Sequence, residues 1–282
     1  MRATPLTDRG RQPETIALAG DWHGRAEFAV RAVAAARAGG AEAIVQLGDF
    51  GFAYDDPGFR VEAYLAALDE ALGPVPLYFI DGNHERFPWL LDRPLDERGL
   101  RPLSRRVAHL PRGLRWRWHG REWLALGGAH SVNRLLLDRG PREAPSTSWW
   151  PEESLNGEQI ALACDPGPSE VLLSHDAPLV SPAPHGYPPG SYPRGDELAD
   201  QAHRRLVQAV MDAVRPRLVL HGHFHRRYRS TVRTGGRACE VIGLAHDGGS
   251  VADNLAWLDA RTLRIVPPTA PLPVPPRVPR GR

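Results

Sequence analysis

Five short motifs rich in Asp, Asn and His constrain the fold of this chain more than any other feature. Each motif follows directly on a short run of strand-forming apolar residues. The runs are Ile16–Ala19, Ala43–Leu47, Leu77–Ile80, Val171–Leu173 and Leu218–Leu220. The motifs are GDWHG at Gly20–Gly24, GDF at Gly48–Phe50, GNHE at Gly82–Glu85, SHD at Ser174–Asp176 and HGHFH at His221–His225. In an open α/β sheet, ligands bind outside the carboxyl ends of the strands. We therefore expect the five motifs to meet in one site at that edge.

The first half of the chain alternates predicted strands with predicted helices. One helix is expected at Ala26–Ala38, where an alanine-rich stretch ends at a pair of glycines. A second is expected at Val61–Leu72, because apolar residues recur there at helical spacing before Gly73 and Pro74. This βαβαβ order predicts a parallel sheet covered by helices.

The second half is more varied. Leu114–Trp118 and Trp123–Leu126, joined by a short turn, have the pattern of a β-hairpin. Its Trp116 and Trp118 share one face, which predicts a packed sheet face or, less favoured, an aromatic platform for nucleic-acid bases. The long aperiodic segment Ser131–Asn156 is predicted to be a lid beside the site, with Trp149 or Trp150 over the cleft. A last helix is expected at Glu197–Val214, and strands are expected at Cys239–Leu244 and Leu255–Leu258.

The length of 282 residues suits one large α/β domain, which we place at residues 15–264. A flexible N-terminus at 1–14, loops near the site at 131–156 and 178–195, and a Pro-rich disordered tail at 265–282 complete the predicted organisation. The formal net charge of +2 is too near neutral to argue for nucleic acid by itself. The start has no apolar stretch of signal-peptide length, and no stretch is long enough to span a membrane, so a cytoplasmic location is expected.

The motifs supply more metal-capable side chains than one ion needs. Four imidazoles, two carboxylates and one amide suit two divalent ions that share a bridging carboxylate. The candidate ligands are Asp21, His23, Asp49, Asn83, His175, His223 and His225. Mixed nitrogen and oxygen ligands without a thiolate favour manganese, with Fe, Zn, Co or Ni as alternatives. Two such ions can hold a hydroxide and clamp the oxygens of a phosphoryl displacement, which predicts hydrolysis of a phosphate ester or, less favoured, of an amide.

The order D-x-H, GD, GNH[ED], H, GHxH resembles that of the calcineurin-like metallophosphoesterase superfamily, from Ile16 to about Leu258. The resemblance implies an α/β fold with a two-sheet β-sandwich flanked by helices, and a dinuclear centre at the carboxyl ends of the strands. It implies that Asp49 bridges the metals and that His84 protonates the leaving oxygen, a role that suits an imidazole. It also implies one metal held by Asp21, His23 and His225 and the other by Asn83, His175 and His223.

One box departs from the protein-phosphatase branch of that family. That branch reads GDYVDRG, whose second Asp supports the general acid and whose Arg holds phosphate, whereas this chain continues as Gly51-Phe52 after GDF. We therefore consider Arg86 and Arg134 as substitute phosphate contacts. His221, which abuts the GHxH box, is expected to support the ligands from behind. His130 and His246 follow strand-like runs and are candidates to line the cleft.

The sequence thus predicts a dinuclear-metal phosphoesterase that acts through a hydroxide between its metals. Its partner is a phosphate-ester substrate, either a phosphodiester or a phosphomonoester of a nucleotide, a nucleic acid or a small molecule. No membrane partner is expected, and the oligomeric state is not predicted. The main alternative is a Ser/Thr-type phosphoprotein phosphatase, and a scaffold module or a metal amidohydrolase is less favoured.

Overall fold

The structure, a computed structural model, describes Thr4–Pro5 and residues 11–51, 60–134, 149–182 and 190–271. The strands in these residues are β1 Thr4–Pro5, β2 Thr15–Ala19, β3 Ala43–Gln46, β4 Leu77–Phe79, β5 Arg101–Pro102, β6 Val107–His109, β7 Arg115–Trp118, β8 Arg121–Leu126, β9 Val171–Ser174, β10 Leu218–His221, β11 Tyr228–Thr234, β12 Arg237–Gly243, β13 Leu255–Asp259 and β14 Arg264–Val266. The α-helices are α1 Ala26–Ala38, α2 Val61–Leu72, α3 Phe87–Leu91, α4 Gly157–Cys164, α5 Arg194–Val214 and α6 Val251–Asn254, and a 3₁₀ helix lies at Pro151–Glu153.

The strands form two mixed seven-stranded sheets. One sheet has the order β1–β7–β8–β9–β10–β12–β11, and the other has the order β14–β13–β2–β3–β4–β6–β5. The central pairs in both sheets are parallel, and the antiparallel pairs lie toward the edges. The central strands are buried along their whole length and mostly apolar, as is typical of strands covered on both faces. Because these strands are parallel within each sheet, their carboxyl ends gather at one edge.

The core lies in three layers. Alternate residues of a strand point to opposite faces, so Ile16 and Leu18 face the other sheet while Ala17 faces the helices. The layer between the sheets contains Val45, Trp123, Leu173 and Leu220 among others. One outer layer packs the second sheet against α1 and α2, and the other packs the first sheet against α5. This arrangement confirms the predicted β-sandwich flanked by helices.

Most of the predicted elements agree with the structure, and the differences have local causes. Helices α1 and α2 have the predicted bounds. Helix α5 begins at Arg194, three residues before the predicted start, because Asp196 and Glu197 fall in its first turn, where acidic side chains are favourable. Strand β11 was not predicted, since its exposed Arg, Ser and Thr side chains give it no apolar alternation.

Two strands extend the sheets beyond residues 15–264. Strand β1 pairs with β7 inside the segment expected to be flexible, and β14 continues two residues past the predicted end of the domain. Parts of the predicted N-terminus, lid, second loop and tail, namely residues 1–3, 6–10, 135–148, 183–189 and 272–282, lie outside the described residues. Among the helices that are described, none has both the length and the apolar content to cross a bilayer.

The hairpin tryptophans belong to the core. Trp116 and Trp118 are 2% and 1% exposed, and Trp123 on the partner strand is fully buried. The Trp123 ring centroid lies 5.9 Å from that of Trp116 and 5.0 Å from that of Trp118. The aromatic-platform alternative is therefore wrong, because these rings pack between the two sheets and offer no surface for a base.

Candidate metal centre

The carboxyl ends of the central strands bring all seven candidate ligands to one edge of the sandwich. Asp21 and His23 follow β2, Asp49 follows β3, and Asn83 follows β4. His175 follows β9, and the pair His223 and His225 follows β10. Backbone bonds join these loops directly, since the amides of Trp22 and His23 both donate to the Asp49 carbonyl at 3.1 and 2.8 Å. Because β2, β3 and β4 belong to one sheet and β9 and β10 to the other, both sheets contribute candidate ligands to this edge.

Four of the seven candidate ligands have a left-handed backbone. The φ angles are 45° at His23, 53° at Asp49, 64° at His223 and 58° at His225. Such a conformation costs about 1–3 kcal/mol for a residue with a side chain and persists only where the surroundings impose it. Its concentration at this edge indicates that the loops are shaped to direct these side chains inward.

Asp21, His23, Asp49 and His225 form the first group of ligands. The Nε2 atom of His225 lies 3.1 Å from Asp21 Oδ2, and Nε2 of His23 lies 3.3 Å from Asp49 Oδ2. One ligand atom from each of the four residues lies within 4.8 Å of every other. The buried Asp21 carboxylate is fixed by the His223 amide, which is 3.1 Å from both of its oxygens. This group could hold one ion.

Asn83, His175 and His223 form a second group on the other side of Asp49. The Nε2 atom of His175 lies 3.1 Å from Asn83 Oδ1 and 3.4 Å from Asp49 Oδ1. The His223 ring lies next to that of His175, with 5.1 Å between centroids. Asp49 thus presents Oδ2 to His23 and Oδ1 to His175. Its carboxylate lies between the two groups, where a bridging ligand must lie.

The hydrogen-bond polarity of His175 tests whether the residues fit a cation. Its Nδ1 lies 2.7 Å from the Leu47 carbonyl, which only accepts, so Nδ1 carries the hydrogen. Nε2 of the neutral ring is then a lone pair, and its neighbours Asn83 Oδ1 and Asp49 Oδ1 are acceptors as well. Only a proton or a metal ion can satisfy acceptors that converge in this way. The donor set therefore fits a divalent ion.

The electrostatics of the site favour positive charge between the carboxylates. Burial lowers the pKa of His175, but the charge and hydrogen bond of Asp49 outweigh this effect and raise it to about 10. Burial likewise lowers the pKa of His23, and its hydrogen bonds to Asp247 and Asp49 raise it to about 11. Burial would raise the pKa of Asp49, but the neighbouring His175 holds it well below its usual range.

Asp247 contacts a candidate ligand, and the sequence did not suggest it. Its Oδ1 lies 2.6 Å from His23 Nδ1, and its Oδ2 lies 2.6 Å from Arg25 Nε. A carboxylate that accepts from one imidazole nitrogen turns the other toward a metal and fixes its tautomer. The sequence gives little indication of this role, because Asp247 lies in the loop after β12 and not in one of the five motifs. The sequence singles out only its neighbour His246, as a candidate to line the cleft.

His84 and Glu85 have different surroundings. The His84 amide donates to Asp49 Oδ1 at 2.8 Å, and its ring centroid lies 5.9 Å from that of His23. Burial lowers the pKa of His84, and the charge of Asp49 opposes that effect. The buried Glu85 carboxylate accepts from the amides of Phe50 and Gly82 at 2.7 and 3.2 Å. Glu85 therefore ties the Asp49 loop to the Asn83 loop, and His84 stays beside the ligands.

The other candidate histidines occupy three distinct places. His246 stacks on His225 with 4.1 Å between centroids, beside the first group. His221 is buried behind the ligands, where its Nε2 lies 2.5 Å from the Tyr228 hydroxyl and its Nδ1 lies 2.9 Å from the Gly222 carbonyl. His130 is buried against Asp196, with 3.3 Å between Nε2 and Oδ1.

A cavity of about 570 Å³ opens beside the ligands. Among the described residues, its lining comprises Asp49, Asn83, His84, Ser131, Val132, Asn133, Tyr192, His223, Phe224, His225 and Arg226. Parts of both predicted loops therefore border the site. The described lining includes neither Trp149 nor Trp150, so it does not support the predicted position of these rings over the cleft.

Of the arginines, only Arg226 is part of the described lining. Arg134 lies 3.5 Å from Asp196 through its Nε, and its guanidinium is 5.2 Å from the centroid of Trp149. Arg86 is exposed on the loop after His84. The sequence did not single out Arg226, although it directly follows the GHxH box.

Comparisons with known proteins agree with this fold. The family model described as calcineurin-like phosphoesterase matches residues 14–227. The fold is similar to the crystal structure of TT1561 of Thermus thermophilus, with 16% identity, a TM-score of 0.52, and coverage of 90% of this chain and 97% of that one. It is also similar to a dimetal phosphatase from Danio rerio, with 14% identity, a TM-score of 0.53, and coverage of 88% and 92%. A comparison with curated proteins gives no match.

The family match spans more than half of the chain. The chain therefore belongs to the calcineurin-like phosphoesterases. Membership supports hydrolysis of phosphate esters and the use of divalent metal ions as the general properties of the site.

Proposed function

We propose that this protein hydrolyses phosphate esters with two divalent metal ions, of which manganese is the preferred candidate. The observation that carries the proposal is the position of Asp49, whose two oxygens lie 3.3 and 3.4 Å from the Nε2 atoms of His23 and His175, which belong to two separate groups of candidate ligands. A single ion could bind only one of these two groups of ligands. The dimetal phosphatase of similar fold from Danio rerio supports the same stoichiometry.

The proposed ligands follow from the two groups. Asp49 would bridge the ions. Asp21, His23 and His225 would hold one ion, and Asn83, His175 and His223 would hold the other. When bound, such ions activate water at neutral pH and stabilise the charge of a phosphoryl group in transfer. The chain then has to orient the ligands, bind the ester and deliver a proton.

We assign the proton to His84. The imidazole lies in the cavity wall, and its own amide is anchored on Asp49, so it is held at the edge of the proposed centre. Because burial lowers the pKa of His84, the protonated ring is a stronger acid than an exposed histidine. This strength suits transfer to a poor leaving oxygen.

Substrate binding is assigned to the cavity beside the centre. Its volume of about 570 Å³ is in the range of sites for small ligands. Arg226 offers a cation in its lining, and we add it to Arg86 and Arg134 as a candidate contact for the ester's phosphate. A nucleotide or another small phosphorylated molecule, as monoester or diester, is the preferred substrate.

A phosphoprotein phosphatase remains the alternative function. Its phosphate-binding Arg would come from the box after Asp49, where the Arg position of GDYVDRG falls on Ala53 of this chain. The lack of this Arg in the sequence favours a small ester over a phosphoprotein. A scaffold role is disfavoured because the ligand set is complete.

A screen of metals against substrates tests the proposal. Protein stripped with a chelator would receive Mn²⁺, Co²⁺, Zn²⁺ or Mg²⁺ and then an aryl phosphate, an aryl phosphodiester or a short single-stranded DNA. We expect metal-dependent turnover and two equivalents of bound metal. Asp49→Asn should lose both, whereas Asp92→Asn, at an exposed carboxylate, should lose neither. Wild-type protein that saturates with one equivalent would refute the two-metal proposal.

A further inference from the structure

We propose that the buried pair Ser131 and Glu153 fixes the direction of the Asn83 amide and thereby presents its oxygen to the second metal. The inference rests on the proposed function, because it assigns positioning residues to one half of that centre. Neither residue belongs to the five motifs, and both come from the segment that the sequence predicted to be a lid.

The three side chains form a continuous buried chain. Asn83 Nδ2 lies 3.0 Å from Ser131 Oγ, and Ser131 Oγ lies 2.6 Å from Glu153 Oε2. The other carboxylate oxygen, Oε1, accepts from the Ser131 amide at 2.9 Å. Glu153 is fully buried, and Asn83 and Ser131 are each 3% exposed. Both oxygens of the Glu153 carboxylate thus face Ser131, which in turn contacts the candidate ligand Asn83.

The polarity of this chain decides which way Asn83 faces. Burial raises the pKa of Glu153 to about 7. Above that pH its carboxylate only accepts hydrogen bonds, so Ser131 must donate its single hydroxyl hydrogen to Glu153. Toward Asn83 the hydroxyl then has only lone pairs, and it can accept only from the amide NH₂ group. The Asn83 oxygen is therefore directed away from Ser131 and toward His175, where Oδ1 lies 3.1 Å from Nε2. The reversed amide would place donors where a cation must bind.

Backbone and side-chain hydrogen bonds from neighbouring residues hold these three side chains in place. Arg112 donates to the Glu153 carbonyl at 3.1 Å through one nitrogen. Its Nε donates to Asp81 Oδ2 at 2.7 Å, two residues before Asn83. Ala129 also donates to the Glu153 carbonyl at 3.1 Å. The loop of Asn83 and the segment of Glu153 are thus fastened together, so the three side chains keep one spacing.

Glu153→Gln tests the direction of these hydrogen bonds, because Gln has almost the same size as Glu but carries a donor group. If the Gln oxygen accepts from the Ser131 amide, its NH₂ group faces Ser131 Oγ, and the hydroxyl hydrogen is released to attract the Asn83 oxygen. If the Gln is reversed, its NH₂ group meets the Ser131 N–H, and two donors oppose each other. Ser131→Ala breaks the same chain by a different route, because Asn83 loses its acceptor. Glu152→Gln is the matched control, since Glu152 is the exposed neighbour of Glu153.

The measurement is titration of each chelator-stripped variant with Co²⁺ alone, followed by visible absorption and elemental analysis. Loss of a residue that orients a metal ligand weakens metal binding about 10–100-fold. We expect this loss for one of the two equivalents in Glu153→Gln and Ser131→Ala, with the other equivalent unchanged. Asn83→Ala should weaken the same equivalent, and Glu152→Gln should match wild type. Melting of the metal-free proteins checks that folding is retained.

Each outcome separates the two proposals. Wild-type protein that binds fewer than two equivalents refutes the two-metal function and removes the basis of this inference. If wild type binds two equivalents, and Glu153→Gln and Ser131→Ala also bind two at wild-type affinity, the positioning role is overturned and the proposed function is left intact. Equal weakening of both equivalents also overturns it, because a general loss of structure would act on both sites. If Glu153→Gln does not fold, Ser131→Ala decides alone.

Discussion

Metal binding to this centre should release about two protons near pH 8. The imidazoles of His23 and His175 face carboxylates, which raise their pKa values to about 11 and 10 in the absence of bound metal. Both rings therefore hold a proton at pH 8. A metal ion needs the Nε2 lone pair of each ring, so it must displace that proton. Metal and proton thus compete for the same two positions.

The sign and size of the pH effect follow from this competition. Each displaced proton makes metal binding about tenfold tighter for every unit of pH increase. With one proton displaced at each site, the product of the two binding constants should rise about a hundredfold per pH unit. The effect should persist until the pH approaches about 10, where His175 loses its proton unaided.

Calorimetric titration with Mn²⁺ in two buffers of different ionisation enthalpy measures the released protons. The informative variant is Asp247→Asn, which removes the charge whose hydrogen bond does most to raise the pKa of His23. Its proton release should fall below that of wild type by up to about one. Protons from other groups are common to both proteins and cancel in the difference. Equal release from both proteins, or affinity independent of pH between 7 and 9, would refute the electrostatic account.

Four further predictions concern His84, Arg226 and Trp123. His84→Ala should keep both metals while turnover of an ester with a poor leaving group falls about 10²–10⁴-fold, and turnover with a good leaving group should fall much less. Because burial lowers the pKa of His84, the wild-type rate with the poor leaving group should decline as pH rises above that lowered pKa, measured as a pH–rate profile. Arg226→Ala should raise KM for a phosphate ester more than Arg86→Ala does, and the reverse order in steady-state kinetics would contradict the cavity assignment. Trp123→Ala should destabilise the protein by about 3–5 kcal/mol in denaturant unfolding, since its ring is fully buried between the sheets.

The candidate ligands could be assigned to one edge of the fold because each of them follows a buried strand. A run such as Val171–Leu173 can be recognised by its apolar residues alone, and parallel strands end at the same edge whatever the length of the intervening chain. The motifs could therefore be assigned to one site from strand order, without knowledge of sheet pairing. The sandwich came from the family resemblance, because apolar runs do not reveal which strands pair. Edge strands such as β5 and β11 have no such runs and were missed.

The residues that support the ligands could not be predicted in the same way. Asp247 lies 224 positions from His23, and Glu153 lies 22 positions from Ser131, with no periodicity that links either pair. Their roles depend on loops that follow different strands and meet only when the two sheets pack. A polar residue in an irregular loop looks the same in sequence whether it is exposed or fully buried. Burial separates these cases, and burial is a property of the packed sandwich.

The distribution of backbone strain shows why the site had to be built on this scaffold. Left-handed residues at His23, Asp49, His223 and His225 together cost about 4–12 kcal/mol at about 1–3 kcal/mol each, a sum comparable to the whole stability of a typical domain. The loops keep these conformations because buried strands precede them and because hydrogen bonds such as that from the His23 amide to the Asp49 carbonyl tie them together. A bound cation would add attraction to every strained ligand at once. Metal removal should therefore lower the melting temperature of the whole protein, and a melting temperature unchanged by chelation would show that the packed loops sustain the strain alone.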